Sequence, residues 1–232
     1  MTTTLSTTAQ NIIEDAFRKV GVKALGSALE TEQMTIALRA LNSLIKQWES
    51  RGVKLHTIYD VEVPQYGSKQ SYTMKLVTGD VLIDRPMRVV SARRRDNSSL
   101  YETPILVIPR EEYKQLTIKS STGPVTQVAY ERQKDYGLLY VWPVSDSLQA
   151  SPTYTVILTI QRAINIFDDS ATAPDLPSEM YLAITYGLAD ILADDCGKPQ
   201  SGYIRDKAQD YFNQLLMTDQ ENASIFIQPE TR

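Results

Sequence analysis

The sequence predicts an α+β fold, in which helices from both chain ends form a four-helix bundle and an antiparallel β-sandwich or barrel is inserted between them. Apolar residues recur at helical spacing near both ends, and they alternate with period two in the hundred residues between. Amphipathic helices bury their apolar stripes most simply by packing together. We therefore expect a helical core from 1–54 and 170–218, an inserted β domain at 55–169, and an extended C-terminal tail at 219–232.

The first two helices are indicated by apolar stripes that stop at glycines. The stripe in 8–20 ends before Gly21, and a longer stripe in 28–51 ends before Gly52. Ser27 and Glu30 have the spacing of a capping box, which predicts the start of the second helix.

The central strands are indicated by β-branched and aromatic runs that are separated by Gly, Pro, Asn, Asp or Ser. Pro109 suits the first turn of one short helix at 109–117, between two of these runs. We expect six or seven strands, drawn from 57–63, 69–75, 87–95, 125–133, 137–143 and 153–164.

Helical spacing returns after Pro174 and Pro177, and it predicts helices at 178–196 and at about 202–217. Ala183 and Gly187 form a narrow line beside the apolar face of the first of these helices. Small residues there would let another backbone come close. We therefore expect Ala183 and Gly187 to contribute to a subunit interface.

Composition excludes several classes of protein. The 232 residues are 42% hydrophobic and 22% charged, which is typical of a globular protein, and the single Cys196 excludes an internal disulfide framework. A membrane span needs about eighteen continuous apolar residues, and no stretch approaches this, so we expect no membrane partner and a cytoplasmic site of synthesis. Residues 167–232 carry 4 basic and 12 acidic side chains, a net charge of −8 that disfavours nucleic-acid contact there.

Catalytic patterns are absent from the sequence. His56 is the only histidine, and no nucleophile elbow or glycine-rich phosphate loop accompanies it, so we predict no enzyme, no cofactor and no metal site. Two groups of carboxylates could assist glycoside cleavage, but a solvated acidic face is the simpler interpretation. They are Asp168 and Asp169 in a linker, and Asp190, Asp194 and Asp195 near a helix end.

Five arginines between Asp84 and Asp96 have no acidic residue among them. They could meet phosphates, or they could be a solvated hairpin tip, because the following RDNSS is favourable for a turn. Strand alternation would place Arg93 and Arg95 on one face. Arg93, Arg94 and Arg95 are therefore the candidate DNA contacts, and a DNA-binding factor is one alternative function.

Tyrosine is abundant, with 13 residues, many of them in the predicted insert. Exposed aromatic rings can stack on sugars, although half-buried strand positions explain most of them. A glycan-binding or cell-wall-degrading module is the other alternative function.

Both chain ends carry residues whose order and spacing can be compared with a known pattern. Near the start, these are Gly21, Val22, Gln33, Ala37, Leu41, Asn42, Leu44, Trp48 and Gly52. Near the end, they are Leu176, Pro177, Ala183, Tyr186, Leu188, Ala189, Leu192 and Gly197. In order and spacing these residues resemble the head-to-tail adaptors, or connectors, of short-tailed bacteriophages. The β insert carries no such resemblance.

The resemblance implies a structural protein of the virion, assembled in the host cytoplasm and located at the head-to-tail interface. In that family, twelve copies form a ring below the portal protein, extend the channel for packaged DNA, help retain the genome and contact a downstream tail or nozzle protein. A C-terminal tail grips the portal. Here the residues suited to that grip are Ile225, Phe226 and Ile227, the large apolar residues of 219–232.

Overall fold

The computed structural model describes residues 8–24, 26–53, 57–148, 150–198 and 202–218. The chain divides into two compact units, one drawn from Met1–His56 and Ile164–Arg232 and the other from Thr57–Ala163. The sequence had placed these divisions at 54/55 and 169/170. The first unit is helical and the second is built on a sheet, so the α+β class is confirmed.

The described residues of the helical unit form four α-helices: α1 Ala9–Val20, α2 Thr31–Arg51, α4 Tyr181–Asp195 and α5 Gly202–Thr218. Gly21 and Gly52 adopt the left-handed conformation that ends α1 and α2, with φ of 76° and 104°. The predicted capping box of α2 was wrong by three residues. Glu30 and Gln33 form the capping box, in which the Glu30 backbone N–H donates to Gln33 Oε1 at 3.3 Å. The Ser27 hydroxyl instead donates to the Ala24 carbonyl.

Helices from both chain ends share one hydrophobic core. Leu41 of α2 and Leu188 of α4 are both fully buried in it, together with side chains from α1 and α5. Helix α4 contacts α1, α2 and α5, and α1 also contacts α2. The helices are thus gathered around α4, and a regular four-helix bundle of the predicted kind is not shown.

The second unit contains one curled seven-stranded sheet, an open half-barrel, instead of the predicted antiparallel sandwich or closed barrel. Its spatial order is β1-β7-β3-β4-β5-β6-β2. All neighbouring pairs are antiparallel except β4 and β5. The strands are β1 Ile58–Pro64, β2 Ser71–Met74, β3 Arg88–Asp96, β4 Glu102–Ile108, β5 Gln127–Arg132, β6 Gly137–Trp142 and β7 Tyr154–Gln161.

The parallel pair follows from the connection between β4 and β5. Helix α3, Arg110–Gln115, lies in this connection, and the chain is long enough to return to the end of the sheet at which β4 began. Side chains from all seven strands, including Val63, Tyr72, Leu139 and Leu158, form one core on the inner face of the sheet. This unit therefore has its own interior.

Candidate functional site

Three side chains of α2 hold the backbone of 164–167. The Asn42 amide donates to the Phe167 carbonyl at 3.0 Å and accepts from the Phe167 N–H at 2.9 Å. Lys46 Nζ donates to the Ile164 carbonyl at 2.7 Å, and Glu49 Oε1 accepts from the Ile164 N–H at 2.7 Å. Residues 42, 46 and 49 share one helix face, so these four bonds fix the segment along α2. We call this set the backbone clasp.

A second polar network joins α1 to the loop after it and to α4. Lys23 Nζ lies 2.6 Å from Glu14 Oε2, and the Lys23 side chain is only 3% exposed. The hydrogen bond from Lys23, with a second one from Gln10, lowers the pKa of Glu14. Tyr181 of α4 donates to Asp15 Oδ2 at 2.5 Å; burial and then this bond raise the pKa of the tyrosine. The Tyr181–Asp15 hydrogen bond thus joins α4 to α1, and the Lys23–Glu14 ion pair holds the loop after α1 against that helix.

An apolar groove lies between the end of α1, the first turns of α2 and the end of α4. Its volume is about 530 Å³, and Phe17 and Leu192 lie in its wall. Val22 and Ile36, which also line the groove, are 36% and 45% exposed. We call this cavity the α1/α2/α4 groove. It is lined by four of the residues that carry the family resemblance, namely Gly21, Val22, Gln33 and Leu192.

The two small residues predicted at a subunit interface are used inside the chain. Ala183 is 3% exposed, within the helical core. A methyl group on Gly187 would come within 3.2 Å of Leu44 Cδ2 and 3.3 Å of Trp48 Cζ2, so this glycine allows α2 to pack closely on α4. Their contact with another copy stays a prediction.

The candidate DNA contacts lie on β3. Arg93 and Arg95 share the outer face of the sheet, as strand alternation predicts, and each reaches across β7 to a carboxylate of β1. Arg93 Nη2 lies 2.6 Å from Asp60 Oδ2, and Arg95 pairs with Glu62. The hydrogen bond from Arg93 lowers the pKa of Asp60.

Carboxylates therefore neutralise much of this cationic strand. Arg93 Nε also forms an ion pair with Glu102 Oε2 of β4 at 2.8 Å, although the N–H is not directed at that oxygen. The guanidinium of Arg94 lies 5.2 Å from the ring centre of Tyr154. Contact of these arginines with DNA stays a prediction, but Arg93 and Arg95 already have acidic partners.

Of the carboxylates considered for glycoside cleavage, Asp168, Asp169, Asp194 and Asp195 are exposed and Asp190 is half-buried. Asp169 Oδ1 accepts hydrogen bonds from the Thr172 hydroxyl and from the N–H groups of Ala171 and Thr172, and these bonds lower its pKa. A general acid needs the opposite shift. In the described ranges, no group of three His, Cys, Asp or Glu could hold a metal ion. His56 lies outside the described residues.

The tyrosines of the sheet do not form one exposed platform. Tyr72 is fully buried, and Tyr113 of α3 stacks on Tyr140 of β6 with ring centres 4.8 Å apart. Tyr66 and Tyr101 are exposed, at 48% and 72%. Tyr59 and Tyr136 are also exposed, at 38% each. Buried or half-buried strand positions account for four of the nine tyrosines of the insert, fewer than the sequence indicated: Tyr72, Tyr130, Tyr140 and Tyr154.

The tail residues Ile225, Phe226 and Ile227 lie outside the described residues. Over the part of the chain that the structure describes, no helix is both long enough and apolar enough to cross a bilayer. A comparison with protein-family models and with curated proteins gave no match.

Proposed function

We propose that this chain is a structural, non-enzymatic subunit of a ring that connects the portal of a short-tailed bacteriophage to its tail. The ring would extend the channel for packaged DNA and help retain the genome. Its partners would be the portal protein above and a tail or nozzle protein below. The resemblance at both chain ends gives the family and the twelvefold copy number, and the virion location follows from it.

The observation that carries this proposal is the α1/α2/α4 groove. Within the described residues nothing fills it, and Val22 and Ile36 present apolar side chains at its edge. Apolar surface of this kind on one part of a protein marks a site of contact with a partner. Full burial of an exposed Val or Ile side chain contributes about 1.5–3 kcal/mol, and covering the exposed 36% of Val22 and 45% of Ile36 would contribute less than half of that for each.

A neighbouring copy is the occupant that the helical unit itself suggests. Leu182 of α4 and Tyr203 and Met217 of α5 are 48%, 63% and 73% exposed, and none of them lines the groove. A head-to-tail contact joins two different patches of identical subunits, and it closes into a ring when the rotation between neighbours permits. The groove and the exposed residues of α4 and α5 supply two such patches on one unit.

The test compares Ile36→Asp with Leu82→Asp. Ile36 lines the groove, whereas Leu82 is 64% exposed on the sheet unit, so both changes place a carboxylate at an exposed apolar position. Native mass spectrometry and negative-stain imaging would be applied to each protein, alone and with the portal protein of the same phage. We expect rings from the wild type and from Leu82→Asp, and monomers from Ile36→Asp.

Two results would contradict the proposal. One is a wild-type chain that remains monomeric both alone and with the portal, particularly if it cleaves peptidoglycan. The other is ring formation by Ile36→Asp at the wild-type concentration, which would exclude the groove from the interface.

A further inference from the structure

A second cleft in the helical unit combines an apolar floor with a charged rim. It lies among α2, α4 and α5, has a volume of about 340 Å³, and is floored by Leu44, Trp48 and Phe212. Arg51, Arg205 and Asp190 stand at its polar side. This volume lies at the lower end of the range for small-molecule sites, which join an apolar lining to a few convergent polar groups.

Asp190 has one carboxylate oxygen in need of a donor. Its Oδ1 is buried, and among the described residues it has no hydrogen-bond partner. The nearby Arg205 Nε lies 3.8 Å away, which is too far for a hydrogen bond. A buried acceptor without a partner is unfavourable, and more so when it is charged. The Asp190 side chain as a whole is 27% exposed, so the rest of its carboxylate is accessible to a ligand in the cleft.

The two arginines give the same cleft a surplus of cationic donors. The Arg51 guanidinium lies 5.4 Å from the ring centre of Phe212, and it forms no ion pair within the described ranges. The cleft thus has two guanidinium groups and one carboxylate. Guanidinium groups bind carboxylates through paired N–H donors, so the excess positive charge favours an anionic group on the ligand.

We propose that this α2/α4/α5 cleft binds a small zwitterion of the α-amino-acid class with an apolar side chain. The ligand ammonium would donate to the exposed part of the Asp190 carboxylate, and the ligand carboxylate would accept from Arg205 and Arg51. The 3.8 Å between Asp190 Oδ1 and Arg205 Nε suits charges on neighbouring carbon atoms. The apolar side chain would lie on Trp48 and Phe212. This site lies outside the α1/α2/α4 groove, although Gly187, one of the predicted interface residues, lines it.

Trp48 makes the proposal measurable without a label, because it lies in the cleft and the only other tryptophan, Trp142, is on the sheet. The full-length protein would be titrated with L-leucine, L-methionine and L-phenylalanine. Two further probes are isoamylamine, which is leucine without the carboxylate, and isocaproate, which is leucine without the ammonium group. Tryptophan fluorescence serves for the non-aromatic probes, and calorimetry serves for all of them.

We expect at least one of the three amino acids to bind with a dissociation constant on the order of 1 mM. The affinity is limited because a ligand with so few non-hydrogen atoms makes few contacts. Isoamylamine and isocaproate should bind at least tenfold more weakly than leucine. Asp190→Asn and Arg51→Gln should each weaken amino-acid binding at least tenfold. The matched control Arg39→Gln changes an exposed arginine of α2 outside the cleft, and it should bind as the wild type does.

Three results would overturn the proposal. They are no saturable signal from any of the three amino acids, equal binding of leucine and isocaproate, and unchanged binding in a folded Asp190→Asn protein. Circular dichroism would establish that each variant is folded. Ring formation is read separately by mass, so failure of the ring proposal and failure of this one are distinguishable.

Discussion

Single polar residues determine how the chain leaves the sheet and rejoins the helices. The Asn42 side chain forms hydrogen bonds with both the N–H and the carbonyl of Phe167. In a loop these two backbone groups would otherwise have to bond to water. Asn42 is also one of the residues that resemble the adaptor family. Its place in that pattern thus has a physical reason in this fold, independent of any partner.

Asn42→Leu should destabilise the protein by about 1–3 kcal/mol, because it removes both bonds and leaves the Phe167 backbone groups without their partner. The measurement is the free energy of unfolding from urea titration. Ser43→Ala is the matched control, since the Ser43 hydroxyl bonds only the exposed Arg39 carbonyl of its own helix. Equal free energies for the two variants would show that the clasp does not contribute to stability.

The Glu14–Lys23 pair predicts a specific dependence of stability on pH. The pKa of Glu14 is lowered in the folded state, so the pair stabilises the protein above the ordinary value of 4.5, and this contribution is lost as the pH falls through the lowered value. Glu14→Gln should therefore be less stable than the wild type at neutral pH, and the difference should shrink below about pH 4.

The check is the urea midpoint of both proteins from neutral pH down to about pH 3. Glu32→Gln serves as the control, because Glu32 is an exposed residue in the first turn of α2. A difference between wild type and Glu14→Gln that stays constant over this range would contradict the assignment of the pair.

At the scale of elements, α4 is the helix against which the other long helices pack, and Gly187 sets its distance from α2. A leucine at this position would have to displace Leu44 and Trp48, the second of which is only 4% exposed. Such overpacking costs about 1–3 kcal/mol, more than the gain of about 1 kcal/mol from removing a glycine inside a helix.

Gly187→Leu should therefore lower the thermal unfolding midpoint of the monomer by several degrees. Gly202→Leu is the control, because a Cβ there would meet no atom of the described residues within 4 Å. If Gly187 acted only between subunits, the monomer would unfold at the wild-type temperature and only ring formation would change.

The sheet shows why the sequence predicts some elements better than others. Runs such as Gly137–Trp142 alternate regularly between buried and half-buried residues, and that period is visible in the sequence. Strand β4 was missed because Pro104 interrupts it and Leu106 is exposed, at 58%, so it has no clear alternation. The parallel pairing of β4 with β5 depends on the path of α3, which no local pattern encodes.

The helices are predicted well for the same reason, since their apolar stripes repeat over three turns or more. The groove and the cleft could not be predicted from the sequence, because residues far apart in the chain form them. Arg51 and Arg205 lie on α2 and α5, and neither belongs to a local motif. The three residues of the clasp do share one face of α2, but the backbone that they bind comes from beyond the sheet.

The ion pairs across β1, β7 and β3 belong to the same scale. Arg93→Ala should destabilise the protein by about 1 kcal/mol, a modest value because the Arg93 and Asp60 side chains are 28% and 50% exposed. Salt should reduce the difference from the wild type. Arg110→Ala, which removes another partly exposed pair, to Glu131, is the matched control for a surface ion pair.

At the scale of the whole molecule, two units with separate interiors share one chain. Helices contributed by both ends close the first unit, so the sheet unit is an excursion from it. Such a division would let one unit build a ring while the other contacts the next component of a tail. We infer that substitutions inside either core will affect folding, whereas substitutions in the α1/α2/α4 groove will affect assembly.

The tail provides the last test of the connector proposal. Residues 219–232 contain only three large apolar side chains, Ile225, Phe226 and Ile227, which is too little apolar surface to add much to a core. Deletion of 219–232 should leave the unfolding midpoint within error of the wild type and weaken attachment to the portal at least tenfold. Phe226→Ala alone should reproduce much of that loss, whereas Gln220→Ala, in the polar part of the tail, should not. If the truncated protein bound the portal as tightly as the wild type, the tail would not contribute to portal binding. The ring would then bind the portal through its folded units.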